Sequence, residues 1–261
     1  MQEFIIQTPG DKPSSNAGTA VLAGVAIVGG AALLAATPKA AHALTTAVKY
    51  ADIPGAGDVK PLNFALALEV IEADLYNQCV ARLQALNVGS SDALLRYVTE
   101  FAKVENEHRD FLTAAIKSAN NGVTIRDTLL KGATFNFGSN LDTADSILNF
   151  LIAVEDTGVQ AYIGAVPQFS VGSPYLPTAA AIQGTEARHT AALTVVRNRK
   201  QGVKADTLNR KSSTAPQYNE NGGRDGIIRE GPQAGASVAS GTAFLDTVLA
   251  GVSPFIVLPT T

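Results

Sequence analysis

Glu105-Asn106-Glu107-His108 and Glu186-Ala187-Arg188-His189 each place a carboxylate and an imidazole three residues apart, in segments that read as helix. Beyond residue 50 the chain has two histidines, and each closes one of these motifs. Residues three apart on a helix share a face, so each pair can bind a metal ion from one side. Two such helices facing each other could hold a pair of ions between them.

Further ligands come from an internal repeat. Phe64-Ala65-Leu66-Ala67-Leu68-Glu69 aligns with Phe150-Leu151-Ile152-Ala153-Val154-Glu155, and a tyrosine follows each Glu after seven residues, at Tyr76 and Tyr162. The sequence thus reads as two copies of a helical hairpin. One helix of each copy has a core-facing Glu and the other has Glu-x-x-His. Glu69 and Glu105 lie at comparable distances from the turn joining their helices, as do Glu155 and Glu186. At a rise of about 1.5 Å per residue, all four helices can bring these groups to one layer. The expected metal ligands are Glu69, Glu105, His108, Glu155, Glu186 and His189.

Charge supports this reading. Four carboxylates inside an apolar bundle would be very unfavourable without partners. No Lys or Arg occupies a core-facing position on the first or third helix, whereas two divalent cations would cancel four carboxylates. Solvent-facing glutamates would fit poorly with their apolar neighbours. Oxygen and imidazole donors without thiolate favour iron or manganese, and zinc also fits the ligands.

These residues must be carried by four helices. The first runs from about Pro61 to Asn87, with Phe64, Leu68, Ile71, Leu75 and Leu83 at the three-and-four spacing of a buried face. The second spans about 92–119, after the short turn Gly89-Ser90-Ser91-Asp92, so the two are antiparallel neighbours. The third starts after Asp142 or Thr143 and stops near Pro167; the fourth follows Pro177 and ends near Arg199. The long stretch from Asn120 to about Leu141 would cross from one end of the bundle to the other. The expected fold is therefore all-α, an antiparallel four-helix bundle with one long crossover between helices 2 and 3. Glu100, Glu107 and Arg188 read as solvated or ion-paired flanking positions.

The bulk composition sets limits. At 261 residues the chain can hold one good-sized domain with appendages. Its net charge of −3, without a basic stripe, argues against nucleic acid as a partner. The single cysteine, Cys79, rules out an internal disulfide and reads as a small buried apolar side chain. Residues 14–38 carry no charge and are followed by Ala41-His42-Ala43, so 1–43 resembles a secretory leader. The uncharged run is also long enough to span a bilayer, which would make it a retained membrane or assembly segment. The expected location is outside the cytoplasm, in the periplasm or at the cell surface, or tethered to the envelope. Residues 44–58 form a linker, 59–200 the bundle, and 201–261 an irregular extension rich in Gly, Ser and Pro. In that extension a short helix is expected around Ala243–Ala250. The apolar end Pro254–Pro259 should pack on the bundle or on a neighbouring subunit.

One Glu from each of two helices, with Glu-x-x-His from each of the other two, is the ligand pattern of the ferritin-like di-metal carboxylate bundles. The chain resembles that superfamily over about residues 60–200. Leu62-Asn63-Phe64-Ala65-Leu66-Ala67-Leu68-Glu69, followed by Glu72 and Tyr76, is similar to the exported ferritin-like group that includes desiccation-related proteins. The Glu-to-Tyr spacing also resembles the rubrerythrin branch, but the cysteine pairs of a rubredoxin iron site are absent. The resemblance implies two metal ions, iron or else manganese, with O2 or peroxide as reactant. The implied activity is Fe(II) oxidation or peroxide consumption in stress protection, with electrons from Fe(II) itself or a separate donor. It leaves open a structural or assembly protein of the envelope in which the metals only stabilise, and a storage cage. Self-association would use the N-terminal segment or the C-terminal tail. Tyr76 and Tyr162 either need a core hydrogen-bond partner or hold a ligand carboxylate across the bundle, which their repeated spacing favours. Gly158 stands where the first hairpin has Glu72. A seventh carboxylate could therefore come only from Glu72, which either reaches a metal or supports a ligand.

Overall fold

The computed structural model describes residues 48–119, 122–202 and 242–259. Four long helices form the bundle: α1 (Val59–Ala85), α2 (Ala93–Ser118), α3 (Ala144–Ala165) and α4 (Leu176–Lys200). The hairpins α1–α2 and α3–α4 make the most extensive pairings, and α1–α3 and α2–α4 contacts close the other two sides. The result is the expected antiparallel four-helix bundle with a long crossover after α2.

Local chemistry sets the helix ends. α1 extends two residues beyond the expected start and ends two residues early, because Asn87 adopts a left-handed φ of 58°. Asn is among the few residues that tolerate this conformation. The Asp92 side chain accepts a 2.8 Å hydrogen bond from the Leu94 N–H and caps α2. Thr143, rather than Asp142, caps α3: its Oγ1 accepts from the Ser146 N–H, and the Ser146 hydroxyl oxygen accepts from the Thr143 N–H, each at 3.0 Å. Pro167 stops the continuation of α3, whereas Pro177 lies in the first turn of α4. Arg197, Arg199 and Lys200 occupy the last turn of α4, where cations interact favourably with the free carbonyls.

α1 is buried on nearly every side from Pro61 to Ala73. A helix apolar around its circumference must be covered around its circumference. α2 and α3 cover two sides. The linker, the crossover and the C-terminal extension cover the rest. The extension supplies a fifth helix, α5 (Thr242–Val252), slightly longer than expected, which packs against α3. A Cβ on Gly164 would fall 2.6 Å from the Phe244 ring, so glycine permits this approach. After α5 the chain forms strand β2 (Ile256–Val257), which pairs antiparallel with β1 (Thr134–Phe135) of the crossover. This two-stranded tie was not foreseen. Phe137, Phe150 and Phe255 cluster beneath it, with ring centroids 5.5–5.9 Å apart.

Among the described residues no helix is long and apolar enough to cross a membrane. The uncharged 14–38 run and the leader-like 1–43 lie outside the described residues. So do Asn120 and Asn121, and residues 203–241 of the extension.

Asn63 ties these coverings to α1. Its buried amide donates to the carbonyls of Pro54 (3.1 Å) and Val123 (2.9 Å), and its oxygen accepts from the Ile125 N–H (2.7 Å). Linker and crossover are thus joined by one side chain. Asn63→Ala leaves a buried backbone N–H unpaired, and the expected loss is about 1–3 kcal/mol per orphaned group. Urea unfolding checks this; an unchanged midpoint would show that the amide makes no net contribution.

Candidate metal centre

The expected ligands come together at the middle of the bundle, in two overlapping groups of four. Glu69, Glu105, His108 and Glu186 form one; Glu105, Glu155, Glu186 and His189 form the other. Within each group the donor atoms lie within 4.8 Å of one another. Ligands on opposite sides of an ion, at bonds of about 2.0–2.2 Å, stand about 4.2 Å apart, so little closure is needed around a cation. Glu105 and Glu186 belong to both groups and lie between the histidines. His108 Nδ1 is 2.9 Å from one Glu105 oxygen, and His189 Nδ1 is 2.8 Å from the other. His108 Nδ1 is also 3.4 Å from Glu69 and 3.5 Å from Glu186; His189 Nδ1 is 3.3 Å from Glu155.

The donors are poorly satisfied by one another. All four glutamates are fully buried. Glu69 Oε2, Glu105 Oε1, Glu155 Oε2, both Glu186 oxygens and His189 Nδ1 make no hydrogen bond. The 2.8 Å approach of His189 to Glu105 therefore lacks hydrogen-bond geometry. Buried polar atoms are normally paired, and a cluster of orphaned oxygen and imidazole donors suits one or two cations.

Without a cation, protons must balance the charge. Burial, with the nearby Glu105 charge, raises Glu69 to about 7. Burial and neighbouring carboxylates push Glu186 and Glu72 well above the ordinary range. For Glu105 burial also acts upward, but His108 and His189 outweigh it and bring this carboxyl down to about 2. Burial disfavours charge on both imidazoles. The glutamates overcome that effect and raise His108 to about 10 and His189 to about 9. The metal-free centre thus holds protons on Glu186, His108 and His189, and on Glu69 below about pH 7.

Tyr76 and Tyr162 form a reciprocal pair. Tyr76, on α1, donates to Glu155 Oε1 on α3. Tyr162, on α3, donates to Glu69 Oε1 on α1 at 2.5 Å. Each bond engages Oε1 and leaves Oε2 of the same glutamate unpaired. Glu72 is buried beside the cluster with Oε2 unpaired, but it belongs to neither group of four. A Cβ on Gly158 would lie 3.1 Å from a Glu186 oxygen and 3.2 Å from a Glu72 oxygen.

Phe101 escaped the sequence reading. Its ring stacks on His189 at 3.7 Å between centroids. Its position four residues before Glu105, on the same helix face, was the available signal. Beside this stack, α2 and α4 leave an open recess of about 510 Å³, with Glu100, Lys103, Glu107 and Arg188 on its walls and His189 at its inner side.

Metal binding must displace the imidazole protons and the Glu69 proton, so affinity should rise with pH. In the metal-free protein the sign is opposite. The raised Glu69 value adds stability that is present below about 4.5 and lost as pH rises through about 7. The histidine contributions are lost as pH rises through about 9 and 10. The Tm difference between metal-loaded and metal-free protein should therefore widen from about pH 6 to about pH 9, as scanning calorimetry can show. A constant or shrinking difference would contradict this charge assignment. His108→Ala and His189→Ala should each lower metal content, whereas Cys79→Ser, at a buried apolar site, should leave it nearly unchanged.

Neither curated proteins nor solved structures yield a match to the chain. Residues 57–199, more than half of the chain, match a protein family described as the ferritin-like domain. The match begins just before α1 and ends one residue short of the end of α4, so it contains every ligand candidate. The chain belongs to the ferritin-like domain family.

Proposed function

We propose that this protein is a dinuclear metal oxidoreductase that oxidises Fe(II) or consumes peroxide. The observation that carries the reading is the pair of four-donor groups sharing Glu105 and Glu186, with orphaned donor atoms in both. Glu69 and His108 would hold one ion and Glu155 and His189 the other, with Glu105 and Glu186 between them. Iron is the preferred metal and manganese the alternative, because the donors are oxygen and imidazole. Two bound Fe(II) ions would supply two electrons, which with two protons convert one peroxide to two waters.

The protein's own groups prepare the site. Tyr76 and Tyr162 fix the orientation of Glu155 and Glu69 by holding one oxygen of each and leaving the other for an ion. The recess between α2 and α4, with charged side chains on its walls, offers an approach to His189 for hydrated ions and peroxide. Phe101 shields one face of that imidazole.

The likeness of Leu62–Glu69 to desiccation-related proteins supports a role in stress protection. The apolar 14–38 run and Ala41-His42-Ala43 support export or tethering to the envelope. Self-association would fall chiefly to the N-terminal segment, because Phe255 and Ile256 of the tail are buried against their own bundle.

Anaerobic Fe(II) loading followed by peroxide, watched by absorbance, tests the activity. The expected result is oxidation faster than that of free Fe(II), at about two Fe(II) per peroxide. Bound metal with no turnover would contradict the enzyme reading and favour ions that only stabilise the bundle.

A further inference from the structure

A second cavity lies on the opposite side of the metal centre from the recess between α2 and α4. It sits between α1 and α3 and is bordered outward by Phe137 of the crossover and by Val252 and Phe255 of the C-terminal extension. Leu68, Ile71, Phe150 and Val154 supply most of its remaining wall. Its volume of about 20 Å³ exceeds the roughly 10–15 Å³ needed for one water-sized molecule. Two polar side chains border it. The Thr157 hydroxyl is occupied, donating to the Ala153 carbonyl at 2.8 Å. Glu72 stands at the inner end, together with Gly158.

That inner end meets the centre. Gly158 lies against carboxylate oxygens of both Glu72 and Glu186, which leave a side chain there almost no room, so cavity and cluster meet through these carboxylates. The two hairpins differ at this position. Where the first carries Glu72, the second carries glycine, so the repeat is unequal on this side. An apolar cavity of this size favours a small uncharged guest over an ion or a hydrated molecule.

The geometry points to this cavity as a docking site for dioxygen beside the centre, with Glu72 and Gly158 at its inner end and the C-terminal extension as its outer wall. Charged and hydrated species would use the recess between α2 and α4. The inference rests on the dinuclear reading above, but its first test does not need the metal.

Crystals of metal-free protein pressurised with xenon should show a xenon atom between Leu68, Val154 and Val252. Val154→Phe, which fills the cavity from α3, and Val252→Phe, which fills it from α5, should each remove that xenon. In metal-loaded protein both variants should slow oxidation of bound Fe(II) by O2 severalfold. They should leave metal content and the reaction with peroxide near wild type. Two variants on different elements guard against one failing to fold. An absence of xenon in the wild type would overturn the proposal. So would an unchanged O2 dependence in a folded variant whose cavity is filled. Failure of the dinuclear reading would show separately, as wild-type protein that binds no metal.

Discussion

Four carboxylates buried in one apolar layer are the constraint on which the rest of the structure depends. Each buried ion carries a desolvation penalty on the order of several kcal/mol, and among the described residues no lysine or arginine enters the layer to offset it. The partners inside the bundle are two imidazoles and two tyrosine hydroxyls. These fix the positions of the carboxylates but leave donor atoms unpaired on every glutamate of the set. The arrangement makes physical sense when cations complete it. In their absence, protons gather on His108, His189, Glu69 and Glu186. That state links metal uptake to proton release.

The repeated hairpin explains how one chain builds such a layer. Each copy supplies a glutamate, a tyrosine seven residues later and a Glu-x-x-His pair, and approximate twofold symmetry brings the copies face to face. Each tyrosine serves the other copy's glutamate, so neither hairpin can position its ligands alone. The symmetry fails at Glu72 and Gly158. There one hairpin carries a carboxylate and the other a glycine crowded by carboxylate oxygens, and the small apolar cavity begins.

Much of the centre was legible in the sequence because helix geometry turns spacing into direction. Three-residue spacing joined each Glu to its His, and the repeat placed Glu69 and Glu155 at the same level. The tyrosines were legible as a repeated interval, though their partners across the bundle required coordinates. Other features depend on contacts between segments far apart in the chain. Asn63 looks like a polar residue in an apolar run, and only the folded chain shows it joining linker to crossover. The pairing of β1 with β2 involves two residues from each segment, too few for an alternating pattern to register. Phe101 lay outside the sequence pattern, since stacking on an imidazole leaves no mark on composition. α1 gave only a partial periodic signal because the extension and crossover bury the face a simple bundle would expose.

The central claim is that two metal ions bind in this carboxylate layer. The most direct measurement is anomalous diffraction at the iron edge from crystals of Fe(II)-loaded protein grown without oxygen. The account predicts two peaks, one beside Glu69 and His108 and one beside Glu155 and His189, with Glu105 and Glu186 between them. A single peak, or none among these residues in fully loaded crystals, would contradict it.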